Sequence, residues 1–249
     1  MTATENKFRP GPILLMGAPG VGKGTQAKEL MARWGVPQIS TGDLLRGNVA
    51  SSSRLGLQAK QLMDSGQLVP DHLVEQMVAQ RLSEGDVTAG YLLDGFPRTL
   101  GQAEWLDRYL AGENAPASLA ALEVEAGQST RAGASLPLVA VSLRVEYTRL
   151  LRRITGRRIC PRCGSIYNTY LQPPVRDGFC DLDGTPLQRR DDDSEVVFED
   201  RMHAYETLTA PVVEHYRALG RLLEIDGEGS PETVTGRVEQ VIQEARSQA

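Results

Sequence analysis

A short glycine-rich segment, directly after an apolar run, constrains the fold of this chain more than any other feature. Residues 17–25 read GAPGVGKGT and follow the apolar residues 13–16. Glycine loses more backbone freedom on folding than any other residue, so its clustering around one lysine indicates that another group approaches the main chain closely here. The apolar run predicts a buried strand, and the residues after the loop, 24–34, show helical spacing. A strand, glycine loop and helix in this order are typical of an α/β protein.

The loop itself matches a phosphate-binding pattern. It fits G-x-x-x-x-G-K-[ST] as far as Lys23, with Gly24 inserted before Thr25. Inward-pointing backbone N–H groups at the start of a helix favour an anion, and Lys23 adds a positive charge for the β and γ phosphates. An ordinary glycine turn is the alternative, but a lysine at this position favours phosphate binding. The residues predicted to surround the phosphates are Gly20, Val21, Gly22, Lys23, Gly24 and Thr25.

The rest of the chain continues the alternation of strands and helices. Strands are predicted at residues 91–93, 136–143 and 222–226, and helices at 71–83, 102–110, 148–154, 196–219 and 231–245. This order predicts a parallel sheet with helices on both faces. A mostly helical segment before residue 70 and a cysteine-bearing segment from residue 156 interrupt the alternation and are interpreted as small inserted lobes. Residues 111–135, rich in Ala, Gly and Ser, are interpreted as a solvated surface insertion.

Composition and charge exclude several classes of protein. The formal net charge of −5 argues against a general nucleic-acid binder. No apolar stretch approaches the length of a membrane span, and the first apolar run is broken early by Gly17 and Pro19, which argues against a secretory signal. Three cysteines, an odd number, suit a reducing compartment. We therefore expect a cytoplasmic protein that binds neither nucleic acid nor membrane.

The cysteines have the spacing of a metal site. Cys160 and Cys163 are two residues apart, and sixteen residues later Cys180 and Asp183 repeat that spacing. Two close pairs separated by a ribbon can close a tetrahedral site, and zinc accepts a carboxylate as its fourth ligand. An iron–sulfur cluster would prefer four thiolates. Unligated cysteines or a redox-active C-x-x-C are the alternatives. The spacing predicts a structural metal site, with Zn²⁺ as the expected ion.

Five further segments stand in the order found in adenylate kinases. They are QISTGDLLR at 38–46, GQLVP at 66–70, LLDGFPRTLGQAE at 92–104, TGRRICPRCG at 155–164 and RRDDD at 189–193. The chain resembles that family from residue 13 to about residue 227, apart from 111–135. The resemblance implies a P-loop core (1–39, 70–155 and 194–249), a helical lobe for the nucleoside monophosphate (40–69) and a small metal-bearing β lid (156–193). It also implies a monomeric enzyme that reversibly transfers a phosphoryl group from ATP to AMP with Mg²⁺, giving two ADP.

The resemblance assigns an acceptor site. Arg46 and Arg98 resemble the arginines that hold the AMP phosphate, where a planar guanidinium can form two parallel hydrogen bonds. Gln102 resembles the glutamine that reads the adenine edge of AMP. The other residues that the resemblance places at AMP are Thr41, Gln67, Leu68, Val69, Gly95, Phe96, Pro97, Arg190 and Arg201.

The resemblance also assigns the donor site and the catalytic groups. Asp94 resembles the carboxylate that orients the waters of Mg²⁺, and Asp192 and Asp193 resemble carboxylates at the hinge of the lid; a solvated acidic run is the alternative for this pair. Besides the phosphate loop, the residues implied at ATP are Arg153, Arg157, Ile166, Tyr167 and Gly229. The residues implied in catalysis are Lys23, Asp94, Arg98, Arg157, Arg190, Asp192, Asp193 and Arg201.

Two other functions remain open from the sequence. A kinase for UMP or CMP would share most of these motifs, although Thr41 and Gln102 favour adenine. A nucleotide-dependent switch with a zinc-ribbon interaction module is the alternative from another class. Such a switch needs only one nucleotide site. Arg46, Arg98 and Gln102 would supply a second site, which favours the kinase. Glu228 replaces a residue that is often polar or basic in the family, so the preference for the donor nucleotide stays open.

Overall fold

The structure is a computed structural model that describes residues 8–64, 69–113, 136–189 and 193–248. Four of the predicted site residues lie outside the described residues, namely Gln67, Leu68, Arg190 and Asp192. Most of the predicted surface insertion, residues 114–135, also lies outside them.

A five-stranded parallel sheet forms the centre of the fold, as predicted. Its strands are β1 (Gly11–Met16), β2 (Gln38–Ser40), β3 (Gly90–Asp94), β4 (Val139–Arg144) and β7 (Leu222–Asp226), and their order across the sheet is β2-β3-β1-β4-β7. The short strand β2 was not predicted, because three residues carry too little pattern. The strand predicted from residue 136 begins only at Val139, since Pro137 lacks the N–H that a central strand needs.

Helices cover both faces of the sheet. The helices of the described residues are α1 (Lys23–Trp34), α2 (Thr41–Ala50), α3 (Arg54–Asp64), α4 (Asp71–Leu82), α5 (Leu100–Leu110), α6 (Tyr147–Thr155), α7 (Glu195–Ala204), α8 (Ala210–Ala218) and α9 (Pro231–Ser247). Helices α2 and α3 form the mostly helical inserted segment. Within the described residues, no helix combines the length and the apolar character needed to cross a membrane.

The alternation of side chains along β1 divides the core into two layers. All six residues of β1 are buried, because helices cover both sides of the strand. Ile13 and Leu15 join a cluster with residues of α1, α6, α7 and α9. Leu14 and Met16 join a cluster on the other face, with residues of α4, α5 and α8. The sheet is thereby fixed between two helical layers, and the loops after β1 and β3 come together at one edge.

The predicted helix over residues 196–219 contains an irregular segment. A π segment, Tyr205–Thr209, separates α7 from α8. The backbone N–H of Ala210 donates to the carbonyl of Tyr205, five residues earlier. Pro211 explains this departure, because it lacks the N–H that a regular helix would direct to the carbonyl of Thr207. The chain therefore accommodates one extra residue in this turn.

The cysteine-bearing segment folds into short strands and turns, as predicted. Strands β5 (Arg157–Ile159) and β6 (Ile166–Asn168) pair antiparallel in a separate two-stranded sheet. Isolated bridges join Ile159 to Gln188 and Phe179 to Pro186. These pairings bring both ends of the cysteine segment to the same place.

Candidate functional site

The glycine loop connects the end of β1 to the first turn of α1. Gly17 has a φ of +135°, and a Cβ added there would lie 2.7 Å from the carbonyl oxygen of Leu143. Gly22 caps α1 with a φ of +108°, a conformation that other residues rarely adopt. Among the described residues, no side chain caps this helix start. Its first N–H groups are therefore available to an anion.

Lys23 lies across this loop and close to other charges. Its Nζ donates to the carbonyl oxygens of Gly17 at 2.7 Å and Ala18 at 3.2 Å. The pKa of Lys23 is lowered to about 8, mainly by burial; Asp94 opposes this shift, and the positive charges of Arg98 and Arg201 add to it. The loop thus concentrates positive charge where the sequence predicts phosphates.

Asp94 ends β3 at the same edge of the sheet. A Cβ added to Gly24 would lie 3.9 Å from its Oδ2, so the carboxylate faces the start of α1. Burial raises the pKa of Asp94, while Lys23 and a hydrogen bond from Gln38 oppose that shift. The Nε2 of Gln38 donates to the Asp94 Oδ2 at 2.9 Å. Sequence reasoning missed the contact of Gln38, because its partner lies 56 residues away and only strand pairing brings them together.

The turn after Asp94 joins three of the predicted acceptor residues. The Gly95 carbonyl accepts hydrogen bonds from the hydroxyl of Thr41 at 2.9 Å and from the Nε of Arg98 at 2.8 Å. Phe96 is buried in the core and packs edge-on against Trp105, with ring centroids 5.9 Å apart. Its side chain therefore serves packing, so only its main chain remains for contact with a ligand.

Gln102 lies buried beside this turn and has partners at both ends of its amide. Its Oε1 accepts from the backbone N–H of Arg98 at 2.8 Å, and its Nε2 donates to the Asp71 carboxylate at 2.7 Å. The structure thus brings Gln102 to Arg98, as the motif indicates. Reading an adenine edge would require the amide to exchange at least one of these partners.

Arg46 lies on α2, five residues after Thr41. A Cβ added to Gly42 would lie 3.3 Å from its guanidinium, which folds back toward the start of the helix. An exposed ion pair of 2.5 Å joins Arg46 to Asp43. Val69 is partly buried and directly precedes Pro70, the N-cap of α4.

Two arginines predicted at ATP connect separate parts of the chain. Arg153, on α6, donates to the carbonyl oxygens of Val21 at 3.0 Å and Gly227 at 3.2 Å, which ties the glycine loop to the loop after β7. Burial lowers the pKa of Arg153. Arg157, the first residue of β5, forms a two-point ion pair with the fully buried Asp193.

The loop that contains Gly229 lies next to Gly227. The Gly229 φ of +121° lies in the region that favours glycine. The guanidinium of Arg237 donates to the carbonyl oxygen of Glu228 at 2.6 Å. The carboxylate of Glu228 pairs with Arg149 at 3.2 Å. These contacts hold the main chain of this loop in place.

The three cysteines and Asp183 form one compact cluster. Their ligand atoms all lie within 4.8 Å of one another. Cys163 and Cys180 have their sulfur atoms 3.5 Å apart, and the Cys160 sulfur lies 3.5 Å from both carboxylate oxygens of Asp183. Tetrahedral zinc with bonds of about 2.3 Å places thiolate sulfurs about 3.8 Å apart, so the donor set fits that ion.

Two matching turns build this cluster. The backbone N–H of Gly164 donates to the Cys160 carbonyl at 3.0 Å, and that of Gly184 donates to the Cys180 carbonyl at 2.9 Å. A hydrogen bond from the Thr185 N–H to the carboxylate lowers the pKa of Asp183, which keeps it ionised. The same turn occurs between β5 and β6 and again between the bridged residues Phe179 and Pro186, which explains the repeated sequence spacing.

Two residues of β6 that are predicted near the base of ATP have different surroundings. Ile166 is exposed on β6. The hydroxyl of Tyr167 accepts from the Asp181 N–H at 2.8 Å and lies 3.5 Å from the Cys180 sulfur. Tyr167 therefore also supports the cysteine cluster.

Comparisons with known proteins agree over nearly the whole chain. A family described as adenylate kinase matches residues 15–221. An adenylate kinase from Thermodesulfovibrio yellowstonii is 44% identical over 218 residues, which is 88% of this chain and 92% of that protein. One from Nitrosococcus oceani is 42% identical over 234 residues, 94% of this chain and 99% of that protein. One from Clostridium perfringens is 42% identical over 218 residues, 88% of this chain and 91% of that protein.

Proposed function

The chain belongs to the adenylate kinase family and is a phosphotransferase acting on ATP and AMP, and on this premise we propose which of its residues carry the transfer. The observation that carries the proposal is the arrangement beside the glycine loop, where the Asp94 carboxylate faces the start of α1 and Arg98 and Arg201 lie close enough to Lys23 to lower its pKa. A phosphoryl group in transfer has its charge spread over three oxygens, so catalysis consists mainly of positioning and electrostatic stabilisation. Positive side chains around one point supply that stabilisation.

The ATP phosphates would occupy the glycine loop. Backbone N–H groups of residues 20–25 would surround them, and Lys23 would exchange its bonds to Gly17 and Ala18 for the β and γ phosphates. Arg153 and Gly229 would bound the rest of the donor site, since Arg153 already contacts the loop. Arg157, with Ile166 and Tyr167 of the same small sheet, would reach ATP from the cysteine segment.

AMP would occupy the space between α2 and the turn after β3. Arg46 and Arg98 would hold its phosphate, with Thr41 and Gly95 beside them and Gln102 at the adenine edge. Arg98 and Arg201 would both reach the transferred group, because each is close enough to influence the charge of Lys23. Val69 and Pro97, together with Gln67, Leu68 and Arg190 outside the described residues, complete the proposed set.

Mg²⁺ fits the same edge of the sheet. The Asp94 carboxylate, a hard oxygen ligand, faces the start of α1, where Thr25 also lies. Bound there with ATP, the ion would neutralise the charge that develops on the phosphates. Gln38 would keep the carboxylate in place through its 2.9 Å hydrogen bond.

No side chain is needed as a general base. The acceptor phosphate carries most of its second charge at neutral pH, because its second pKa is about 6. His72 and His203 are exposed, and His215 pairs with Asp107 at 2.7 Å. We assign none of the three histidines to the chemistry.

The two inserted segments would act as mobile lobes. We propose residues 40–69 as the AMP lobe and 156–193 as a lid, both joined to a core of residues 1–39, 70–155 and 194–249. Closure over two nucleotides would exclude water, which otherwise competes for the phosphoryl group. The pair between Arg157 and Asp193 stands at the base of the lid, and Asp192 is proposed beside it as a hinge carboxylate.

The cysteine cluster would hold one structural zinc ion. Cys160, Cys163, Cys180 and Asp183 supply four ligands, so such a site has no open position for substrate. The ion would therefore order the lid and take no part in the transfer. The odd number of cysteines and the acidic net charge support a cytoplasmic enzyme, which we propose to act as a monomer without nucleic acid or membrane.

The choice of acceptor tests the function directly. With Mg²⁺ and ATP, we expect AMP to give ADP at least about tenfold faster than GMP, UMP or CMP, since a site built to hydrogen-bond one base rejects others. Initial rates of ADP formation with each acceptor provide the measurement. A higher rate with UMP or CMP would contradict the proposed acceptor site and favour a pyrimidine nucleotide kinase.

Replacement of Gln102 tests the adenine contact. Gln102→Ala should raise the KM for AMP by about five- to tenfold or more and leave the KM for ATP nearly unchanged, because roughly 1–3 kcal/mol of hydrogen bonding is lost on one substrate only. The matched control is Gln80→Ala, an exposed glutamine at the end of α4. Equal losses on both substrates would place Gln102 outside the acceptor site.

A further inference from the structure

The irregular helix after the lid brings two side chains onto one face. Arg201 and Thr209 are eight residues apart, and in a regular α-helix they would point about 80° apart, since each residue turns about 100°. The π segment Tyr205–Thr209 adds one residue to a turn. Across this segment, side chains eight residues apart therefore point in nearly the same direction, as side chains seven residues apart do in a regular α-helix. Thr209 consequently lies on the same side as Arg201.

In this orientation Thr209 contacts the turn after β3, which contains Arg98. Its hydroxyl donates to the carbonyl oxygen of Arg98 at 3.1 Å, across 111 residues of sequence. On the other side of the same residue, Gln102 accepts from the Arg98 N–H at 2.8 Å. The Arg98 side chain is itself held by its Nε bond to Gly95. The main chain of Arg98 is therefore fixed from both sides, and Thr209 provides the link to the helix that carries Arg201.

That link works against an electrostatic repulsion. Burial lowers the pKa of Arg98 and the positive charge of Arg201 lowers it further, while the carboxylate of Asp94 opposes the shift. Two like charges favour separation when no anion lies between them. A neutral hydrogen bond between the two elements maintains their spacing without neutralising either guanidinium.

We propose that Thr209 is a positioning residue for phosphoryl transfer, whose hydroxyl holds the Arg98 turn so that Arg98 and Arg201 converge on one phosphate. This inference rests on the proposed roles of the two arginines. Thr209 itself touches no reacting atom in this proposal. The Thr209 hydroxyl would act only through the position of Arg98, so its loss should change the kinetic constants for AMP more than those for ATP.

The test compares Thr209→Val, which keeps the shape and removes the donor, with Thr209→Ser, which keeps the hydroxyl. Thr209→Val should lower kcat/KM for AMP by about five- to tenfold, the scale of one hydrogen bond, with the KM for ATP unchanged. Thr209→Ser should remain within about twofold of wild type. The control is Thr207→Val, because the Thr207 hydroxyl bonds only carbonyls of its own helix among the contacts described, His203 at 2.8 Å and Ala204 at 3.4 Å. It should leave both constants near wild type.

A double-mutant cycle separates this inference from the proposed function. In an Arg98→Ala background, Thr209→Val should cause no further loss in kcat/KM, because it acts through Arg98. If Arg98→Ala and Arg201→Ala lose activity while Thr209→Val does not, the positioning role is overturned and the proposed site stands. If both arginine variants retain wild-type kinetics, the proposed site itself fails. Thr209→Val could instead lose activity equally on ATP and AMP and melt at a lower temperature, with no rescue by Thr209→Ser. That result would overturn the inference in favour of a purely structural role.

Discussion

Replacing Lys23 with methionine should lower turnover by about 10³-fold or more, the scale observed when one donor to a developing charge is removed. The Lys23 ammonium is the cation nearest to the glycine loop carbonyls and would move to the transferred phosphates when ATP binds. Methionine has similar length and no charge, so packing around the loop is largely kept. Steady-state kcat with ATP, AMP and Mg²⁺ is the measurement, and Lys28→Met, at an exposed position on the same helix, is the matched control.

The same substitution should stabilise the ligand-free protein. The pKa of Lys23 in the folded protein, about 8, lies below its ordinary value of 10.5, so the unfolded chain binds more protons between these values. The contribution of Lys23 to the free energy of unfolding therefore rises with pH between about 8 and 10.5. This contribution is lowest at neutral pH, because the buried ammonium is then charged. Lys23→Met should melt higher than wild type at pH 7 by a few degrees, and the difference should shrink toward pH 10. Near-wild-type turnover of Lys23→Met would contradict the assignment of the phosphate loop. A melting temperature below that of wild type at pH 7 would contradict the claim that the buried charge destabilises the folded protein.

Loss of the metal should have the largest effect on stability. Purified protein should contain about one zinc ion per chain, the capacity of a single four-ligand site. Because the unfolded segment has no preformed site, the binding energy of the ion is folding energy of the lid. Cys163 is exposed, so Cys163→Ser removes a ligand with little change in packing. We expect this variant to lose most of its metal and to melt at least about 5 °C lower, with turnover at low temperature within about tenfold of wild type.

Two further variants make the metal test specific. Arg162→Ala changes an exposed residue between the first two cysteines and should leave metal content and melting temperature unchanged. Asp183→Cys should retain the ion, since a thiolate is also a good zinc ligand. Equal melting temperatures for the metal-free and metal-bound protein would refute the structural role. Complete loss of turnover in folded Cys163→Ser would show that the order of the lid and the chemistry cannot be separated.

Most of the architecture was predictable from local patterns. Burial on both faces of a parallel sheet leaves continuous apolar runs, so β1, β3 and β4 were visible in the sequence. The glycine loop was equally visible, because positive φ at Gly17 and Gly22 restricts those positions to glycine. The repeated spacing around Cys160 and Cys180 likewise indicated a cluster, which the structure brings within 4.8 Å. In each case only a few residue types satisfy the local backbone conformation or burial, so the feature is visible in the sequence.

Other features depended on contacts between distant parts of the chain, and no local pattern reports such contacts. Strand β2 is three residues long, and its place beside β3 is what directs Gln38 to Asp94. The pairing of Arg157 with Asp193 and that of Gln102 with Asp71 likewise join residues far apart in sequence. The π segment was hidden in an otherwise regular helical pattern, although Pro211 marks its cause. Sequence therefore determined which elements form and where the proposed phosphate and metal ligands stand along the chain, because backbone conformation and burial act locally. Only the tertiary structure decided which side chains orient those ligands, because hydrogen-bond partners are chosen in space after the sheet and helices have packed.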